Sequence, residues 1–204
     1  MTDEGMKRAY EELQAHGIEG LILIGGDGTF KGANAFFKKY TIPAVGLPGT
    51  IDKDLAGTDY TIGYDTAVNT VVEAIDKIRD TALSHNRLFF IEVMGRDSGY
   101  IAIQSGIGGG AELIMVPETS TSIEDVVHDL NQGRNTEKTS SIVVVAEGDE
   151  EGGAMEVVNK VKDRLKGKDL KVSILGHIQR GGAPTAMDRI ISSVGDSVPG
   201  PLGF

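Results

Sequence analysis

The sequence predicts an α/β protein of doubly wound parallel sheets, on three observations. Short apolar runs end in glycine, segments of helical periodicity separate those runs, and polar glycine-rich segments follow the runs directly. Strands alternating with helices imply right-handed βαβ units, a parallel sheet, and ligands at the carboxyl ends of the strands. With 40% apolar and 25% charged residues over 204 positions, the chain is long enough to bury one large core or two small ones.

The elements run in order. Thr2 to His16 carries Met6, Ala9, Tyr10 and Leu13 on one helical stripe, and Gly17 is placed to end it. Leu21–Ile24, an unbroken apolar run before Gly25 and Gly26, reads as a central strand buried on both faces, with a helix expected from about Gly32 to Lys39. Further strands are predicted at Ile42–Leu47, Leu88–Met94, Leu113–Val116, Ile142–Ala146 and Val172–Leu175. Val68, Val71, Val72, Ile75 and Ile78 share a helix face. Ser122 and Asp125 form a capping pattern for a helix that Gly133 can close, and Met155, Val158, Val161 and Leu165 mark another stopped near Gly167. From Ser192 to Phe204 periodicity is lost, and a loose end is expected.

Composition narrows the function. A formal charge of −10 argues against a nucleic-acid partner but permits a small phosphorylated ligand held by a few arginines. The chain has no cysteine, which excludes disulfides and thiolate metal sites. No apolar run approaches the roughly 18 residues of a membrane span, and the first residues lack the pattern of a secretion signal. A cytoplasmic protein is the expectation. Glycine, at 28 residues, is in excess, as close backbone approach to a ligand requires.

Four strand-end segments can carry chemistry. In Gly25-Gly26-Asp27-Gly28-Thr29, glycines let backbone N–H groups close on a phosphate, and Asp27 beside phosphate implies a bridging cation such as Mg²⁺; a tight turn with a solvated Asp is an equal reading of this pattern alone. In Pro48-Gly49-Thr50-Ile51-Asp52-Lys53-Asp54, the carboxylates of Asp52 and Asp54 are two apart and point to one side, one suited to a proton and the other to a metal shell. Met94-Gly95-Arg96 and Gly176-His177-Ile178-Gln179-Arg180-Gly181-Gly182 each set an arginine among glycines, the residue for bidentate phosphate contact. Singly, the Asp52 segment and each arginine read more readily as surface features. Their agreement points to phosphate chemistry.

Together, GGDGT, PGTIDKD, GTDYTIGYDTA, EVMGR and GHIQRGG resemble the phosphofructokinase family from about Gly17 to Ile190. The resemblance implies two Rossmann-like domains, residues 1–63 with 179–204 holding ATP and 64–178 holding the sugar phosphate. It implies transfer of a phosphoryl group from MgATP to the 1-hydroxyl of fructose 6-phosphate, a glycolytic reaction, in a homotetramer. By resemblance, Gly26, Asp27, Gly28 and Thr29 hold nucleotide phosphates, with Asp27 and Asp54 at Mg²⁺. Asp52 is the base, acting with Thr50 and Arg96. Ile51, Arg87, Met94, Gly95, Glu147, Lys171, His177, Ile178, Gln179 and Arg180 bind the sugar phosphate, Arg87 and Lys171 across a subunit interface. Arg79, Gly110, Ala111, Glu112 and Lys138 match an allosteric nucleotide site.

The pyrophosphate-dependent branch carries Asp and Lys where this chain has Gly28 and Gly49, so ATP is the expected donor. Two residues depart from the pattern. Lys53 replaces an Asn, adding a cation expected to lower the basicity of Asp52, and Lys171 replaces an Arg, which keeps charge but loses the bidentate fork. Family members begin with a strand and a GGDAPG-type nucleotide loop absent here, so the first domain is expected to be incomplete. An inactive or regulatory version of the fold is therefore a rival reading. A pyrophosphate-dependent enzyme ranks lower, and an NAD or lipid kinase lowest.

Overall fold

The computed structural model describes residues 2–82, 87–132, 141–165 and 167–195. It contains two parallel sheets. The smaller orders β1 (Leu21–Gly25), β2 (Ala44–Thr50) and β3 (Ile62–Gly63) side by side. The larger has the order β5 (Leu113–Met115), β6 (Ser141–Ala146), β4 (Arg87–Val93), β7 (Asp169–Ile174), and every pair is parallel. Seven α-helices accompany them among the described residues: α1 (Asp3–Ala15), α2 (Asp27–Phe37), α3 (Tyr64–Ala82), α4 (Tyr100–Gly108), α5 (Ile123–Gln132), α6 (Ala154–Val161) and α7 (Ala186–Gly195).

The larger sheet is doubly wound because successive strand residues alternate between its faces. Phe89, Ile91, Val93, Ile142 and Val144 pack with Val71 and Ile75 of α3 and Ile101 of α4. Leu88, Phe90, Val143 and Val145 pack on the other face with Val126 and Leu130 of α5 and Val157 and Val161 of α6. Each of these side chains contributes roughly 1.5–3 kcal/mol by leaving water. Burial on both faces explains why Leu88–Ile91 of β4 and Ile142–Ala146 of β6 read as continuous apolar runs.

Local chemistry sets the helix ends. The Thr2 hydroxyl accepts from the Gly5 N–H at 3.2 Å to cap α1, and Gly17 closes it at φ +64°. Ser122 and Asp125 form the expected cap of α5, the Asp125 N–H donating to Ser122 Oγ at 3.2 Å and the Ser122 hydroxyl to Asp125 Oδ2 at 2.7 Å. The closing Gly133 lies outside the described residues.

Several expectations are corrected. Among the described residues the strand at Leu21–Gly25 is an edge, not a centre: Ile22 and Ile24 are 67% and 66% exposed, while Leu21 and Leu23 share a groove with Ala33 and Phe36 of α2. Helix α2 begins at Asp27 rather than near Gly32, so the glycine-rich segment is the helix's first turn and not a free loop. Helix α6 ends at Val161, well short of Gly167. The stretch expected to be loose starts helically, with α7 continuing through Ser192 to Gly195. Helix α4 and the two-residue β3 carried no clear periodic signal. Among the described residues no helix is long and apolar enough to cross a membrane.

Candidate functional site

At the carboxyl ends of β1, β2 and β4 lies a cavity of about 490 Å³, into which the predicted segments converge. The N-cap and first turn of α2 supply Gly26, Asp27, Gly28 and Thr29, and the end of β2 with the segment after it supplies Thr50, Ile51, Asp52 and Asp54. Arg96 and Arg180 complete the wall. An α-helix N-terminus directs unpaired N–H groups and a partial positive charge outward, which suits an anion. Close packing holds it there, since a Cβ at Gly26 would stand 3.2 Å from Thr50 Cβ and one at Gly49 3.2 Å from Ile24 Cγ2. Gly28 is different: nothing lies within 4 Å of where its Cβ would be.

Asp52 is the most unusual group in the cavity. It is only 5% exposed, and its Oδ1 has no hydrogen-bond partner. Its Oδ2 lies 3.4 Å from Arg96 Nε, and its N–H donates to Thr50 Oγ1 at 3.1 Å. Burial pushes the carboxyl above the ordinary Asp range, the charge of Asp54 adds to this, and Arg96 and Arg180 pull against it. The expectation that Lys53 lowers its basicity is corrected. The Lys53 ammonium sits between the rings of Tyr64 and Tyr100, and the cations that act on Asp52 are the two arginines.

Arg96 owes its position to a strained backbone. It is a non-glycine residue at φ +54° following Gly95 at φ +146°. Glu147 Oε1 accepts from the N–H groups of both, at 2.8 Å from Arg96 and 3.2 Å from Gly95. Gly148 packs so closely on the Arg96 carbonyl that any Cβ would overlap it.

Glu147 itself is exposed and does not line the cavity. Met94 is buried, and its N–H donates to Gln179 Oε1 at 3.1 Å. Gln179, expected as a ligand, is 1% exposed; its amide is used internally, donating to the Gly176 carbonyl at 3.0 Å. It fastens the Gly176–Arg180 turn, a single 3₁₀ segment, to the end of β4. His177 and Ile178 on that turn are exposed, and of its side chains Arg180 faces the cavity.

Arg87 and Lys171 are not brought to the cavity. They lie near the opposite ends of β4 and β7, where Asp169 bridges them at 3.3 Å from Arg87 Nε and 2.9 Å from Lys171 Nζ. The seven residues of β4 run from Arg87 itself to the Arg96 end, a span of about 20 Å. Hydrogen bonds from Lys171 and then Arg87 hold the Asp169 carboxyl below its usual range. Arg79, Gly110, Ala111 and Glu112 gather at that same far end. The Arg79 guanidinium donates to the carbonyls of Gly109 and Gly110, and Glu112 accepts from the Ile142 N–H. Lys138 lies outside the described residues.

Sequence reasoning missed Ile62 and Gly63, which also line the cavity. It missed their anchor as well. Asp188 of α7, 2% exposed, accepts from the Gly63 N–H at 2.8 Å and the Thr66 N–H at 2.9 Å, capping α3 across 125 residues of sequence. No local pattern reveals such a pair.

No group of three His, Asp or Glu forms a metal cage among the described residues. Asp27 and Asp54 nonetheless line one cavity, and Mg²⁺ is commonly held by one or two carboxylates together with substrate phosphates and water. Asp54 is exposed and open to an ion, while Asp27 Oδ2 pairs with Lys31 Nζ at 2.7 Å, a contact that a shared ion would have to displace.

The family model described as phosphofructokinase matches residues 1–195. An ATP-dependent 6-phosphofructokinase of Cytophaga hutchinsonii is 54% identical over 94% of this chain and 58% of its own length. ATP-dependent 6-phosphofructokinase 1 of Thermus thermophilus is 56% identical over 95% of this chain and 60% of its own length. This chain thus spans about three fifths of those relatives. The solved phosphofructokinase of Saccharomyces cerevisiae superposes with a TM-score of 0.89 at 32% identity, covering 96% of this chain and 30% of that one. With the matched motifs converging on one cavity of the same fold, the chain belongs to the phosphofructokinase family.

Proposed function

We propose that this chain carries the phosphoryl-transfer centre of an ATP-dependent 6-phosphofructokinase, converting fructose 6-phosphate and ATP to fructose 1,6-bisphosphate and ADP. The observation that carries the proposal is Asp52, a buried carboxylate with one unpartnered oxygen, in the same cavity as an arginine and a glycine-rich helix N-terminus. Asp52 accepts the proton of the 1-hydroxyl as that oxygen attacks the γ-phosphorus; the bond from phosphorus to the β,γ-bridging oxygen breaks, and ADP leaves. Its burial makes it a stronger base than an exposed Asp. Arg96 faces the charge that develops on the transferring group, and the N–H groups of Gly26–Thr29 hold the donor's phosphates. Asp27 and Asp54 would hold Mg²⁺, which when bound neutralises phosphate charge. Catalysis is then mainly positioning and electrostatics.

Gly28 favours ATP over pyrophosphate as donor. Packing does not demand glycine there, and a carboxylate at that position would project a negative charge into the phosphate site. Residues 1–63 with 179–204 would form the nucleotide half and 64–178 the sugar-phosphate half. Arg180 and His177 would bind the 6-phosphate. Arg87 and Lys171, about 20 Å from the cavity along the sheet, suit service to a neighbouring subunit's site in a homotetramer. The far-end group of Arg79, Gly110, Ala111 and Glu112 would meet an effector nucleotide.

The test is fructose 1,6-bisphosphate formation from fructose 6-phosphate and MgATP, with Asp52→Asn as control. Turnover that the substitution lowers by about 10²-fold or more is expected. Turnover undiminished by it, or absence of turnover, would refute the assignment to this chain.

A further inference from the structure

Lys53, between the two cavity carboxylates, is half-buried and sits in the left-handed backbone region at φ +53°, a conformation that disfavours a long side chain. Asp52 and Asp54 line the cavity, whereas Lys53 between them does not and reaches two tyrosine rings instead. There its Nζ lies 5.0 Å from the centroid of the Tyr64 ring and 4.9 Å from that of the Tyr100 ring. Tyr64 opens α3 and Tyr100 opens α4, so the two rings come from helices covering the larger sheet while Lys53 extends from the smaller one. The walls of this clamp are fastened together, since the Tyr64 hydroxyl donates to the Tyr100 carbonyl at 3.1 Å. Tyr64 is 6% exposed, so one face of the ammonium is turned from water, where attraction to a ring is strongest.

We propose that Lys53 is a positioning residue: the grip of Tyr64 and Tyr100 on its ammonium pins the Thr50–Asp54 segment to the first turns of α3 and α4 and so fixes Asp52 opposite Arg96. The clamp joins the two sheets at the point where the reacting groups must meet. It also opposes the backbone strain at Lys53, which a side chain without a partner at its tip would leave uncompensated. The kinetic consequence rests on the reading of Asp52 as base; the structural one does not.

The test uses the full chain and three variants. Lys53→Met keeps the stem and removes the charge, Lys53→Arg keeps a cation able to lie against the rings, and Tyr100→Leu removes one wall. In the native chain the Lys53 ε-methylene proton resonances are expected upfield of an unstructured lysine, with the displacement reduced in Tyr100→Leu. Exchange of the Asp52 amide hydrogen, which donates to Thr50 Oγ1, is expected to be about tenfold faster in Lys53→Met, the factor that corresponds to losing about 1.4 kcal/mol of partly desolvated cation–π attraction. Lys53→Arg should restore slow exchange. In turnover with fructose 6-phosphate and MgATP, Lys53→Met should lower kcat with little change in KM, and the Arg variant should recover it. An unshifted ε-methylene resonance, or Asp52 exchange unchanged in Lys53→Met, overturns the proposal. Should Lys53→Met not fold, unchanged exchange in Tyr100→Leu overturns it equally. A native chain without turnover would sink the phosphorylation reading alone, and the resonance and exchange results would still decide this one.

Discussion

Replacing Asp52 with Asn should slow catalysis and stabilise the fold at neutral pH. The carboxyl is raised above its ordinary range chiefly by burial, so the native state binds its proton more tightly than the unfolded chain does. Stability is therefore greatest below the unfolded-state value and falls as pH rises through the folded-state value, leaving ionised Asp52 a net cost at neutral pH. A buried group with an unpartnered oxygen costs about 1–3 kcal/mol, and the 3.4 Å pair with Arg96, whose side chain is 60% exposed, returns at most about 1 kcal/mol. Asn keeps the shape and removes the charge, so a gain of about 1 kcal/mol is expected at pH 8. In a chain of this size that raises Tm by about 2–4 °C. The gain should disappear as pH falls through the raised folded-state value toward the ordinary Asp range, where native Asp52 is itself protonated. Thermal scans from pH 3.5 to 8 measure this, and parallel assays should find kcat lower by about 10²–10⁴. A variant less stable than the native chain at pH 8, or a difference that ignores pH, would show that the Arg96 pair outweighs burial.

Other substitutions test the remaining geometry. Gly148→Ala drives a Cβ into the Arg96 carbonyl and should destabilise the chain by more than about 2 kcal/mol, or reshape the Arg96 backbone with loss of kcat; unaltered Tm and kcat would contradict the packing. Gly28→Asp meets open space, so Tm should hold while KM for ATP rises at least about tenfold through repulsion of phosphate; unchanged ATP affinity would remove the donor argument. Gln179→Leu strands the Met94 N–H and the Gly176 carbonyl and should cost about 2–4 kcal/mol in denaturant unfolding. A cost near zero would mean that water or a shift of the turn replaces both bonds.

The sequence by itself determined the α/β class, the larger sheet and the identity of the chemical segments. Those depend on patterns that neighbours in the chain can carry. Leu88–Ile91 and Ile142–Ala146 are apolar throughout because helices cover both faces, and GGDGT, PGTIDKD and EVMGR are legible because strand ends put glycine, carboxylate and arginine close together in sequence. Local pattern failed where burial depended on what lies across the fold. Leu21–Ile24 looks the same whether covered on one face or two, and only the sheet order made it an edge with Ile22 and Ile24 exposed. The roles of side chains within a motif were likewise set by tertiary contact. Gln179 was turned inward to Met94, Glu147 was drawn to the backbone of Gly95 and Arg96, and Lys53 was taken from beside Asp52 into the rings of Tyr64 and Tyr100. Asp188 reaches Gly63 across 125 residues, a distance at which sequence holds no record of contact. A motif states which groups are available, but hydrogen-bond geometry and burial, which exist only after the chain has closed on itself, decide which of them remain free to act.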